Sequence, residues 1–141
     1  MRALRILLVD DQRMFVESMR VVLESSELPI DKVHVVQDGE RALATLARYP
    51  IDIVLLDVHM PNVDGLQVLR YIRSRHADVP VVMLSAFGYD EYVRNALAEG
   101  ARGYLLKDES PSLVVSAIRQ VLEGGMVISE QTVRGVVAGS V

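Results

Sequence analysis

The sequence contains no cysteine, which removes disulfides, thiolate metal sites and cysteine nucleophiles together. It has no surplus of positive charge either: 15 Lys and Arg stand against 19 Asp and Glu, a formal net charge of −4. A chain without a general basic surface is a poor candidate for direct nucleic-acid binding. Long hydrophobic runs are missing as well. The apolar stretch near the N-terminus ends at Asp10-Asp11, too short for a secretory leader or a membrane span. No internal repeat or low-complexity tract interrupts the chain. The expectation is a cytoplasmic protein with no membrane partner. What is present is sufficient for one domain: 141 residues, half of them hydrophobic and 24% charged, allow a sizeable core and argue against disorder.

The stretch Ile51–Gly65, IDIVLLDVHMPNVDG, organises the rest. Its run from Ile51 to Leu56 reads as a strand buried on both faces, as in a parallel sheet. Asp57 stands at its end, and His59, Met60, Pro61, Asn62, Asp64 and Gly65 punctuate a tight loop before a helix. Similar pairs recur along the chain. Strands are predicted at Leu4–Val9, Val33–Val36 (introduced by Pro29), Val81–Leu84 and Gly103–Leu106. Helical spacing of apolar residues predicts helices at Gln12–Ser25, Glu40–Arg48, Gly65–Arg75, Tyr89–Glu99 and Pro111–Glu123. Gly100 marks one helix stop, and Ser110-Pro111 one helix start. Five alternations with short, right-handed connections predict a doubly wound α/β fold with helices on both faces of a parallel sheet.

In such a sheet all the strand carboxyl ends lie on one edge, where open α/β folds carry their ligand site. That edge gathers Asp10, Asp11, Asp57, Ser85 and Lys107. Taken singly, each has an ordinary reading: an Asp caps a turn, a Ser caps a helix, a Lys is solvated. Arriving together at one edge, they describe a site. Three converging carboxylates repel one another unless a cation joins them, and an oxygen-rich set suits Mg²⁺. Lysine and hydroxyl add donors for phosphoryl oxygens. An aspartate nucleophile, a divalent ion and a lysine point to phosphoryl transfer onto a carboxylate.

The motifs LLVDD, LLDVHMPNVDGL, MLSA and GYLLKD make the sequence resemble a response-regulator receiver domain of a two-component system, over Leu4 to about Gly125. The run GARGYLLKD…SP…AIRQVLEGG is most similar to the NarL/FixJ (LuxR-type) subfamily of transcription regulators. The resemblance implies a flavodoxin-like (βα)5 fold with strand order 2-1-3-4-5. It implies that Asp57 accepts a phosphoryl group from a sensor histidine kinase, so the chain is a signalling domain rather than an enzyme, with self-catalysed transfer and slow autodephosphorylation. Asp11, Asp57 and the backbone carbonyl of His59 would bind Mg²⁺, with Asp10 acting through water. Ser85 and Lys107 would hold phosphoryl oxygens. Tyr104 matches the aromatic switch position: Ser85 drawn toward the phosphoryl group vacates space for the Tyr104 ring, and the altered surface favours a homodimer.

Other residues are weaker signals. His59 either orients water near the acceptor or is an ordinary loop histidine. His34 and His76 have no ligand spacing, and the methionines read as core fillers. In Pro111–Glu123, the residues Leu113, Val114, Ala117, Ile118 and Val121 are expected to face the sheet. Val115 and Leu122 are left over, for a partner or for the tail to cover. Residues 1–125 are thus a receiver domain, and 126–141 a linker-like tail. In the tail, Ser129 can cap a short helix at Glu130–Val137 whose apolar face is Val133, Val136 and Val137. Such a tail favours a piece of a longer regulator, acting on DNA only through an absent C-terminal helix-turn-helix domain, over a stand-alone receiver working by protein–protein contact. A haloacid-dehalogenase-like phosphohydrolase also uses a strand-end Asp and Mg²⁺, but it needs a second Asp where this chain has His59.

Overall fold

The computed structural model describes residues 2–60, 64–88 and 90–139. Strands β1 (Leu4–Val9), β2 (Ile30–Val36), β3 (Ile53–Asp57), β4 (Val81–Ser85) and β5 (Gly103–Leu106) alternate with helices α1 (Arg13–Ser25), α2 (Gly39–Arg48), α3 (Gly65–Arg75), α4 (Asp90–Ala98) and α5 (Ser112–Leu122). All strand pairings are parallel. The core order is the anticipated 2-1-3-4-5, and a sixth strand extends it.

That strand is β6 (Val127–Ile128), followed by α6 (Glu130–Gly139), and the full order is β2-β1-β3-β4-β5-β6. The start of the linker-like tail, where no strand was expected, therefore joins the sheet. Gly103 makes this feasible. It pairs with Val127, and a Cβ there would come within 3.0 Å of the Val127 carbonyl oxygen. Ser129 starts α6 as expected, its buried hydroxyl oxygen accepting from Thr132 N–H at 3.2 Å. Val133, assigned to the apolar face of this helix, is exposed. Val136 and Val137 of the same face lie outside the described side chains, as do Pro61, Asn62 and Tyr89.

Central strands buried on both faces need apolar side chains at every position, and this sheet has them. Ile6, Leu8, Ile53, Leu55, Val82, Leu84 and Leu105 face α1 and α5. Leu7, Val9, Val54, Leu56, Val81, Met83 and Tyr104 face α2, α3 and α4. On α5, Val114, Ala117, Ile118 and Val121 are buried, while Leu113 is 38% exposed. The expected inward Leu113 is thus corrected: its place on the first turn falls off the stripe, whereas Val115 and Leu122 pack partly against the core. Nor are all methionines core fillers. Met19 and Met83 are buried, but Met14 is 86% exposed on α1 and Met126 is also exposed.

Helix ends hold the strand edge in place. Asp38 and Asp64 cap α2 and α3 by accepting from Arg41 N–H and Gln67 N–H. Gly100 and Gly124, both at φ +95°, close α4 and α5. Each pair of bonds, Ala101 N–H to Ala96 O with Gly100 N–H to Leu97 O, and Gly125 N–H to Gln120 O with Gly124 N–H to Val121 O, is the Schellman pattern that this backbone conformation permits.

Candidate functional site

The carboxyl ends of β1, β3 and β5 bring the expected residues together. Asp10 follows β1 and Asp57 ends β3, and both are buried, while Asp11 is exposed. One carboxylate oxygen from each of the three lies within 4.8 Å of the others. A cavity of about 290 Å³ opens there, lined by Asp11, Gln12, Asp57, His59, Ala86, Phe87 and Lys107. Asp57 sits at the floor because β3 runs in the middle of the sheet.

Lys107 follows β5 and reaches back across the edge. Its Nζ lies 2.6 Å from Asp10 Oδ2 and 3.4 Å from Asp57 Oδ2. The short approach to Asp10 is an ion pair at a poor angle, for that buried oxygen receives no hydrogen bond of good geometry. A buried carboxylate with an unfilled acceptor is suited to a cation or to ordered water. The acidic set fits Mg²⁺ on its donor chemistry: hard oxygens, several carboxylates, and one side open to solvent.

Burial pushes the Asp57 carboxyl from its ordinary 3.8 up to about 6, and the Asp10 charge pushes the same way. Lys107 and the His59 N–H, which donates to Asp57 Oδ1 at 3.2 Å, oppose the rise. Two nearby carboxylates in a desolvated site relieve one another only by protonation or by a cation. The loop beyond β3 is held by Gly65, whose N–H donates to Val58 O at 2.9 Å. A Cβ at Gly65 would stand 2.3 Å from the Asp57 carbonyl oxygen, so only glycine allows α3 to start this close to the acidic strand.

Ser85 is fully buried at the end of β4, beside the cavity, with Ala86 and Phe87 forming the wall itself. The Ser85 hydroxyl oxygen accepts from Phe87 N–H at 3.0 Å. Tyr104, the expected switch residue, stands on the strand next to that of Ser85. Its ring is fully buried, and its hydroxyl donates to Phe87 O at 2.9 Å. Burial raises the Tyr104 hydroxyl pKa, with Ser85 opposing. A buried phenol with a carbonyl to satisfy its hydroxyl is stable beside β4.

Four residues at the site gave no clear signal in the sequence. Gln12 accepts from Lys107 Nζ at 2.7 Å. Phe15 lies under the same ammonium, 4.8 Å from ring centroid to Nζ. Tyr92 meets the His59 ring edge-on at 4.7 Å, with Phe87 at 5.9 Å on the same imidazole. Gln12 left one signal in the sequence: glutamine is a poor helix-starting residue where Ser, Thr, Asp or Asn is preferred. The others look like ordinary helix or loop positions. His34 and His76 lie elsewhere, against Tyr49 and Tyr71.

The response regulator receiver domain model matches residues 6–119. The chain belongs to that family. The receiver domain is 34% identical over 125 residues to the transcriptional regulatory protein DegU of Brevibacillus brevis, covering 89% of this chain and 52% of that one. It is also 34% identical to the nitrate/nitrite response regulator NarL of Escherichia coli K12, covering 89% and 57%. The chain spans about half the length of the curated relatives it matches. Among solved structures, the receiver domain of a NarL regulator from Mycobacterium tuberculosis superposes with a TM-score of 0.77 at 31% identity, over 88% of this chain and 99% of that one. A LuxR-family response regulator from Aurantimonas sp. SI85-9A1 shares the fold along the tail as well, with a TM-score of 0.86 at 23% identity over 99% of both chains. The receiver domain is thus of the NarL/LuxR type, a signalling domain of a two-component response regulator. Among the described residues, no helix is long and apolar enough to cross a membrane.

Proposed function

We propose that Asp57 accepts a phosphoryl group from the phosphohistidine of a sensor histidine kinase. The convergence of Asp10, Asp11, Asp57 and Lys107 on one solvent-open cavity carries this reading. An Asp57 carboxylate oxygen attacks phosphorus, the bond from phosphorus to the imidazole nitrogen breaks, and the nitrogen leaves with its electron pair. Asp10, Asp11 and Asp57, with the His59 carbonyl, would hold Mg²⁺, which supplies charge neutralisation of the transferring phosphoryl oxygens when bound. Lys107 is near enough to turn from Asp10 to a phosphoryl oxygen, and Ser85 supplies a hydroxyl from the neighbouring strand.

The switch we propose runs through a chain of bonds around Ser85, Phe87 and Tyr104 rather than through a large ring movement, a reading that the buried Tyr104 ring supports. A phosphoryl oxygen competing for Ser85 draws its hydroxyl away from Phe87 N–H and loosens the loop that Tyr104 holds from the other side. That loop leads to α4, and the change favours association of two copies. Transcription is the proposed output, by analogy with the relatives named as transcriptional regulators, through a DNA-binding domain outside this sequence. Such signalling takes place in the cytoplasm. A receiver working alone by protein contact is the other reading. The test is intact mass after incubation with phosphoramidate and Mg²⁺. One added phosphoryl mass in the parent and none in Asp57→Asn is expected; equal labelling of both would remove Asp57 from this role.

A further inference from the structure

Lys107 has three N–H donors, and their arrangement is uneven. Asp10 is its nearest anion at 2.6 Å, but at an angle that leaves Asp10 Oδ2 without a hydrogen bond. Asp57 is farther, at 3.4 Å. The well-formed hydrogen bond from the ammonium goes to a neutral oxygen, Gln12 Oε1, at 2.7 Å. Gln12 is itself fixed by its own backbone: its N–H donates to Asp10 Oδ1 at 2.9 Å, and its carbonyl accepts from Val16 N–H at 3.0 Å. It stands at the helix-starting position of α1 yet makes no side-chain cap. A position that favours Ser, Thr, Asp or Asn is filled by a longer side chain that reaches past the helix end to the lysine. Phe15, on the first turn of the same helix, supports the ammonium from below at 4.8 Å.

We infer that Gln12 is a positioning residue for Lys107, holding its ammonium on the Asp10 side of the site until a phosphoryl group on Asp57 draws it across. The inference rests on the reading of Asp57 as acceptor for its second half only. The first half concerns the resting protein. A neutral amide suits this role, because it directs one N–H strongly yet gives way to a phosphoryl oxygen, whose charge makes a stronger bond. A carboxylate in its place would compete with the phosphoryl group on equal terms.

The chain has two lysines, Lys32 and Lys107, so protein labelled with ¹³Cε and ¹⁵Nζ lysine gives two side-chain signals, and Lys32→Arg assigns them. In the resting form, Gln12→Ala and the similarly long Gln12→Met should shift the Lys107 signal. Each should speed exchange of its ammonium protons with water roughly tenfold, as expected for losing one charge-assisted hydrogen bond. Gln12→Glu, which restores an accepting oxygen, should keep exchange slow. With beryllofluoride and Mg²⁺, the parent Lys107 signal should move, and parent and Gln12→Met should then coincide. Resting-state signals that are the same in parent, Gln12→Ala and Gln12→Met would overturn the first half, as would fast exchange in Gln12→Glu. Bound-state signals that still differ between parent and Gln12→Met would overturn the release. A parent signal indifferent to beryllofluoride would tell against the acceptor reading instead, and is separable because the resting comparison uses no phosphoryl mimic.

Discussion

The hydroxyl of Tyr104 donates to the carbonyl oxygen of Phe87 at 2.9 Å, tying the middle of β5 to the loop that walls the acidic cavity. The same tyrosine pairs with Ile128 of β6, and its carbonyl accepts from Ser129 N–H at 3.3 Å. Tyr104 thus touches the site through its side chain and the tail through its backbone. Tyr104→Phe keeps the ring and removes the donor, so about 1 kcal/mol of stability should be lost in urea unfolding, with faster amide exchange at Phe87 and Gly88. Unchanged exchange there would mean the loop is held by other bonds.

Gly65 tests how tightly the acidic strand is packed. Its Cβ would stand 2.3 Å from Asp57 O and 2.9 Å from Val58 Cα, both backbone atoms that cannot turn aside. Gly65→Ala should destabilise the fold by roughly 1–3 kcal/mol, the usual range for overpacking. The displacement falls on Asp57, so weaker Mg²⁺ binding should accompany it. A variant as stable as the parent would show that α3 can move away freely.

The raised carboxyl of Asp57 predicts a pH dependence with a definite sign. Its folded pKa of about 6 exceeds its ordinary 3.8, so the native state binds the proton more tightly than the unfolded chain. Stability from this group is present at low pH and is lost as pH rises from about 4 through about 6. Asp57→Asn should therefore melt above the parent at pH 7 without metal, and the gap should close toward pH 4. A gap that does not vary with pH would contradict the raised carboxyl.

Mg²⁺ should raise the melting temperature of the parent at pH 7 by mass action, and less so below pH 6, where Asp57 gains its proton. Asp11→Ala removes one exposed oxygen of the cluster and should abolish most of that rise. A full rise in the variant would put the ion elsewhere.

Most of the fold was legible because β1, β3, β4 and β5 are largely apolar runs with polar ends, and Pro29, Pro50, Pro80 and Gly100 mark the boundaries. The acidic cluster was legible for the same reason: strand ends share an edge. What could not be read was lateral. Val127–Ile128 is too short to announce a strand, and it becomes one because Gly103 leaves the β5 edge open to approach. Leu113 fits the helical stripe by type but lies at the end of the helix, beyond the sheet's cover. The contact from Gln12 to Lys107 joins positions 95 residues apart, and no local pattern links them.

Locating the phosphoryl group decides whether Asp57 is the acceptor. The parent is phosphorylated with phosphoramidate and Mg²⁺, the acyl phosphate is reduced with borohydride to homoserine, and the peptides are sequenced by tandem mass spectrometry. Homoserine is expected at position 57, with Asp10 and Asp11 unmodified. Homoserine at 10 or 11, with Asp57 intact, would contradict the assignment.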